Sequence, residues 1–190
     1  MTTPSGTISA SQINTEIGRP SNQSMSLNNG TVRALANKPS GTISYNDCRN
    51  KSFRISATGG TTFTSGGYRI HVFTSPGNLV VSQDGANQSI EYYVVAGGGG
   101  ASRGGGGAGG MRSGSLTASV TTYPVNVGGG GNGRTGPQGP GTNGGNSRFG
   151  PIVSTGGGGG GGGGASTPQN ARPGGSGGGG YKRPGASGVS

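Results

Sequence analysis

Nine consecutive glycines, Gly156–Gly164, constrain this chain more than any other feature. Ordering one glycine costs ~1–2 kcal/mol of backbone entropy, and no side chain is present whose burial could offset it. Such a run is either disordered or held through its own backbone groups. Gly97–Gly100, Gly104–Gly107, Gly128–Gly131 and Gly177–Gly180 repeat the problem. Of 49 glycines in 190 residues, 39 lie after Ala96, so the second half lacks the side chains for an ordinary oily core. One ordered solution is a set of left-handed polyproline-II-like rods, with about three residues per turn, packed side by side. A lone rod has no internal hydrogen bonds, and without Cβ atoms its neighbours come close enough to supply them. Collagen is excluded, because Gly136-Pro137-Gln138-Gly139-Pro140 does not continue in a strict every-third-residue register.

The first half reads differently. Ser5-Gly6-Thr7-Ile8-Ser9 recurs as Ser40-Gly41-Thr42-Ile43-Ser44, each copy leading into a helix-starting segment. Ser9 or Ser11 can cap a helix through Gln12–Ile17, which Gly18 and Pro20 end. A second helix is expected from Ser26 to Leu35 or Ala36, stopped by Asn37-Lys38-Pro39, and about one turn is expected after Ser44. Residues 1–52 offer few apolar side chains, so this part is expected to dock on a neighbour or on copies of itself. Residues 53–96 are β in character, with Thr61–Thr64, Tyr68–Phe73, Leu79–Ser82 and Ser89–Ala96 as strands. Ser75-Pro76-Gly77-Asn78 reads as a type II turn. Most aromatic residues fall here, which predicts the protein's only true hydrophobic core. The fold class is therefore a small N-terminal α segment, then mainly β with a glycine-rich C-terminal domain of packed polyglycine-II rods linked by short strands and turns. Three parts follow: 1–52, 53–96 and 97–190.

The chemistry available is sparse. The acids are Glu16, Asp47, Asp84 and Glu91, and His71 is the only histidine, on a strand between Ile70 and Val72 where a structural role is expected. No Gly run leads into the Lys of a phosphate loop. An enzyme is not expected, nor a metal or other cofactor. Cys48 is a single thiol without a disulfide partner in the chain, which suits assembly in a reducing cytoplasm. No secretory leader follows Met1, and no apolar run approaches the ~20 residues of a spanning helix. Net charge is +10, with seven basic residues and no Asp or Glu in residues 92–190. That bias suits an anionic partner, and it equally suits keeping a glycine-rich chain soluble.

Several segments carry a resemblance. Gly67–Thr74, Ile90–Ala96 running into Gly97–Gly100, Tyr123–Gly128, and Gly144–Gly150 leading to Thr155 and the long glycine run resemble the glycine-rich domain of bacteriophage tail-fibre and tail-tip proteins. Ile8–Gly18 and Ser26–Ala36 resemble phage virion proteins, and the Gly-rich architecture is similar to that of T-even-type phage adhesins. Related domains close with an apolar strand after the last glycine run, whereas this sequence ends at Gly188-Val189-Ser190, so another chain is one source for that strand.

The resemblance implies a virion tail protein, assembled in the host cytoplasm, that recognises a host receptor without catalysis. The N-terminal segment would attach to other tail or baseplate proteins through Ile8, Ile13, Ile17, Leu27, Val32, Leu35 and Ile43. The C-terminal domain would meet a host cell-surface polysaccharide or outer-membrane protein. Its implied contacts are Arg103, Met111, Arg112, Asn132, Arg134, Gln138, Asn146, Arg148, Phe149, Gln169, Arg172, Tyr181, Lys182 and Arg183. Arginines would pair with phosphate or carboxylate and the aromatics would stack on sugar or apolar faces. Phe149 has a second reading, as a ring buried under the rods. A homo-oligomer is implied, with three copies expected. The alternatives are a purely structural virion component, such as a fibre-joining, collar or baseplate protein, and a disordered Gly/Arg-rich nucleic-acid binder. Nucleic acid is not the expected partner, because Arg103-Gly104-Gly105 is the only such triplet and three aromatic residues follow Gly97.

Overall fold

The computed structural model describes residues 3–51, 54–85, 88–134, 139–163 and 170–181. The chain is mainly β with two short helices and a glycine-rich region. It divides into two compact units, and the strands of residues 53–96 contribute to both. Unit 1 comprises Met1–Thr58, Val80–Ile90 and Thr117–Thr121, and unit 2 comprises Gly59–Leu79, Glu91–Leu116 and Thr122–Ser190. No helix among the described residues is long and apolar enough to cross a membrane.

The sequence repeat builds unit 1. Helix α1 (Ala10–Glu16) starts at Ser9, whose hydroxyl accepts the Gln12 N–H, while Gln12 Oε1 accepts the Ser9 N–H at 2.8 Å. In the second copy Ser44 N–H and hydroxyl both donate to Asp47 Oδ2, at 2.8 and 3.0 Å, opening the 3₁₀ turn Tyr45–Cys48. Each cap thus satisfies donors that a helix start leaves unpaired. Ile8 and Ile43, each one residue before its cap, fold into the same apolar cluster. Helix α1 ends where Gly18 takes φ +75 and Arg19 N–H returns to the Asn14 carbonyl at 2.8 Å. Helix α2 (Gly30–Ala36) is shorter than the sequence suggests. Asn29 accepts the Thr31 N–H with its side chain and so becomes the N-cap, leaving Ser26–Asn29 as a turn.

The core of this unit is Ile8, Ile13, Val32, Leu35, Ala36 and Cys48, with Ile17, Met25, Leu27 and Ile43 packed against it. The placement of the only oily core in residues 53–96 is therefore corrected, because the caps and the repeat concentrate apolar side chains in residues 8–48 instead. Burial raises the Cys48 thiol above its ordinary value, and the Asp47 charge adds to that. Asp47 is lowered to about 2, chiefly by its hydrogen bond with Lys38, 2.9 Å away, then by the backbone and hydroxyl of Ser44. Thr3 ties the chain's start to this core, accepting the Lys51 N–H at 2.8 Å and donating to the Cys48 carbonyl. Strand β1 (Ile55–Thr58) pairs antiparallel with the Val80–Asp84 part of β4 (Gly77–Asp84), with a register shift between Ser56 and Ala57.

Unit 2 begins with a hairpin of β2 (Thr61–Ser65) and β3 (Tyr68–Val72), joined by Gly66 and Gly67 at φ +57 and +82. Two positive φ values make the I′ geometry that matches strand twist. Phe63 and Tyr68 stay half exposed or more, so this hairpin buries little. His71 reaches the Gly59 carbonyl at 2.7 Å through Nδ1, a structural contact. The expected type II turn at Ser75–Asn78 is not formed. That turn needs positive φ at Gly77, but Gly77 lies in extended backbone and opens β4, where a Cβ would fall 3.3 Å from the Phe73 ring.

Strand β5 (Ser89–Val95) pairs with β6 (Met111–Thr117), and β7 (Thr122–Asn126), β8 (Ser147–Phe149) and β9 (Ile152–Ser154) form an antiparallel series. The β8–β9 loop is Gly150-Pro151, where Gly150 at φ +52 followed by proline's fixed φ gives a II′ turn. Beneath it Phe149, Tyr123 and Tyr92 cluster, with ring centroids 5.4 Å apart for Tyr123 and Phe149 and 6.2 Å for Tyr92 and Phe149.

Candidate functional site

Six glycine-rich runs accompany these strands, 97–101, 104–110, 128–134, 139–146, 155–163 and 170–180. The sixth doubles back at the bend Gly174–Ser176, where its arms are joined by the Gly178 N–H to the Arg172 carbonyl. Almost all of their residues are neither helix nor strand. Their backbone groups bond from run to run. In the fifth run, Gly157 and Gly160 donate to Gly97 and Gly100 of the first, each at 2.9 Å. Gly158 and Gly161 donate to Ser176 and Gly179 of the sixth, again at 2.9 Å. Gly156 and Gly159 donate to the side chains of Asn146 and Asn143 in the fourth, at 2.9 and 3.0 Å. Every third residue therefore addresses the same neighbour. The acceptors follow suit, because the carbonyls of Thr155, Gly158 and Gly161 take the N–H groups of Gly110, Gly107 and Gly104.

Residues 156–163 are buried throughout, with no side chain among them. Their packing needs glycine for space. A Cβ built on Gly156, Gly157, Gly158, Gly159, Gly160 or Gly162 would come within 3.0 Å of a neighbouring backbone carbonyl. The fourth run, 139–146, carries few consecutive glycines, yet it is a full member. Gly141 and Gly144 face the crowded interior, whereas Thr142 and Asn143 between them are exposed. Sequence reading missed this run and the roles of Asn143 and Asn146. The signal lay in glycine and asparagine each recurring at a spacing of three.

The direction of the runs sorts the implied contact residues to two ends. The first, third and fifth runs lead away from β5, β7 and β9, and the second and fourth return to β6 and β8. At the strand end lie Met111 and Arg112, both exposed, together with Asn146, Arg148 and Phe149. Two of these also take part in the packing and bonding of the unit. Phe149 is 8% exposed in the aromatic cluster, consistent with its buried reading, and the Asn146 amide oxygen is engaged by the Gly156 N–H. Arg148 is exposed, with Nε donating to the Gly150 carbonyl. Asn132 and Arg172 lie along the third and sixth runs, exposed, and both donate backbone N–H groups, to Thr142 Oγ1 and to the Gly159 carbonyl.

At the opposite end residues of several runs come together. Arg134 N–H donates to the Ala101 carbonyl at 2.8 Å, and the Ser102 hydroxyl donates to the Gly139 carbonyl at 3.0 Å. The Arg103 guanidinium carbon sits 5.1 Å from the Tyr181 ring centroid, over its face. Gly163 lies beneath both, its Cβ direction 2.8 Å from Tyr181 Cδ1 and 3.8 Å from Arg103 Nη1. Gly139 likewise leaves room for the Arg134 guanidinium. Gln138, Gln169, Lys182 and Arg183 lie outside the described residues.

Of the seven residues expected at virion attachment, Ile8, Ile13, Val32 and Leu35 are buried in the core of unit 1, and Ile17, Leu27 and Ile43 pack against it while partly exposed. Elsewhere, a shallow groove by the β2–β3 hairpin is lined by Gly60, Phe73, Pro76 and neighbours without a titratable group. Among the described residues no three of His, Cys, Asp and Glu come together to hold a metal.

Residues 74–190 match the glycine-rich domain family, and the chain belongs to that family. No curated protein and no solved structure matches it.

Proposed function

We propose that this is a bacteriophage tail protein, of a tail fibre or tail tip, that recognises a host receptor through the glycine-rich unit. In this reading each run is a polyglycine-II rod. What supports the rods is the hydrogen-bond period of three, which is the period of that helix, together with negative φ at nearly every glycine of the runs. A rigid scaffold without side chains then displays the turns that join the rods. The single observation that carries the functional reading is the convergence of Arg103, Arg134 and Tyr181 at one end of the hydrogen-bonded runs. The segments that resemble phage tail proteins supply the setting, with other tail or baseplate proteins and further copies of the chain as partners in the virion. Residues 1–52 carry attachment in this reading through the exposed surface of unit 1. Recognition is non-covalent, with arginines pairing to anions and no reaction catalysed.

The test is competition for adsorption. Purified full-length chain, added ahead of virions that carry it, is expected to lower the rate at which they adsorb to their host. Unchanged adsorption, with the chain detected in the virion by immunogold labelling, would replace this reading with a purely structural virion role.

A further inference from the structure

We infer that the Arg103–Tyr181 pair, with Arg134 at the same end of the runs, is a binding site for an anionic saccharide, a sugar bearing a carboxylate or phosphate. This deepens the receptor-recognition reading and rests on it. A guanidinium over a ring face is held in place by the ring's quadrupole, and its N–H donors lie in its own plane, away from the ring. Tyr181 in turn is seated on Gly163, where any side chain would displace it. Arg103 is therefore fixed in position while its donors stay available, the arrangement that favours bidentate pairing with a planar or tetrahedral oxyanion. Residues 92–190 contain no Asp or Glu, so no acidic side chain of that stretch competes for the site. Arg134 is brought to the same end by its bond to Ala101 and adds to the positive field.

The footprint is that of a single charged group. Proteins that follow a nucleic-acid strand combine a long basic groove with several aromatic faces on which successive bases stack. Here one aromatic ring serves the site, and its face is occupied by Arg103. A guanidinium held over a ring beside the Ser102 hydroxyl suits a charged group carried on a sugar.

The experiment titrates the full-length chain against polygalacturonate and its fully methyl-esterified form, and against phosphomannan and its dephosphorylated form. Binding is expected to at least one anionic polymer and to neither neutral counterpart. Arg103→Gln is expected to weaken that binding by about tenfold, the loss of one charge-assisted contact. Arg103→Lys should retain part of it, and Tyr181→Phe should bind more tightly than Tyr181→Ala. Amide exchange across the glycine runs checks that Arg103→Gln keeps its fold. The exposed Arg69→Gln on β3, a control for net charge alone, should change binding by less than about twofold. The inference is overturned if neither anionic polymer binds, if neutral forms bind equally, if Arg69→Gln costs as much as Arg103→Gln, or if duplex DNA binds as tightly as the polysaccharides. A chain that competes for adsorption but fails these titrations keeps its receptor role and loses the anionic-sugar site. One that binds the polymers through Arg103 without competing keeps the site and loses the role.

Discussion

Unit 1 and unit 2 solve the same problem with opposite materials. In unit 1 water is excluded by side chains: Ile13, Val32 and Cys48 are fully buried among the residues of three short helical segments. In unit 2 the most buried stretch, residues 156–163, has no side chains, and its neighbours approach until backbone carbonyls fill the space a Cβ would need. The first kind of core draws on apolar transfer, while the second draws on close packing and on run-to-run pairing of N–H and C=O groups. Their tolerance to substitution should differ accordingly. An aliphatic core accepts swaps that conserve volume, whereas a glycine core accepts nothing larger than hydrogen.

The largest effect should come from adding one methyl group. Gly158→Ala places a carbon against the Arg172 carbonyl in the middle of the bundle. It is expected to abolish slow amide exchange across residues 97–180. Gly129→Ala, where a Cβ would meet nothing within 4 Å, should leave exchange intact and stabilise by ~0.4–1 kcal/mol through the unfolded chain. Equal behaviour of the two would break the comparison. Next is removal of side chain from the other core. Ile13→Ala should cost ~2–5 kcal/mol in denaturant unfolding, and Ile13→Val about 1 kcal/mol. Ser9→Ala should cost about 1 kcal/mol, because it leaves the Gln12 N–H without its cap.

The smallest effect is the pH dependence of unit 1. Asp47 is lowered to about 2 when folded, below the ordinary aspartate range, so its contribution is complete above about pH 4 and is lost as pH falls toward 2. Urea midpoints measured from pH 5 to pH 2 should decline over that window, and less steeply in Lys38→Met. An identical decline in that variant would remove the Lys38–Asp47 pair from the account.

Much of unit 1 was legible because its signals are local. Ser9, Ser44, Gly18 and Asn37 act within a few residues, and each marks a helix boundary close to where the sequence places it. Asn29 moved the start of α2 because a capping side chain outcompeted helix propensity. The core's location was misjudged, since counting aromatic residues says nothing about whether strands find a second layer. Tyr93 is 76% exposed on β5, the strand with the strongest pattern. In unit 2 the uninterrupted glycine runs announced themselves, but 139–146 and Ala171–Pro173 did not. Their membership depends on which carbonyls lie opposite, a non-local fact, and only the spacing of Gly141 and Gly144 hints at it. Of the implied contacts, Arg103 and Tyr181 came together, whereas Phe149 is buried in the aromatic cluster and the exposed Asn146 accepts the Gly156 N–H.

The threefold addressing of residues 156–161 has a consequence for how such a chain can change length. Removing a single glycine from the fifth run would rotate every later N–H by a third of a turn and hand it to the wrong neighbour. Removing three in succession would return each to its original partner, one step along. The buried run thus has a reading frame, indifferent to insertions of three and intolerant of one or two.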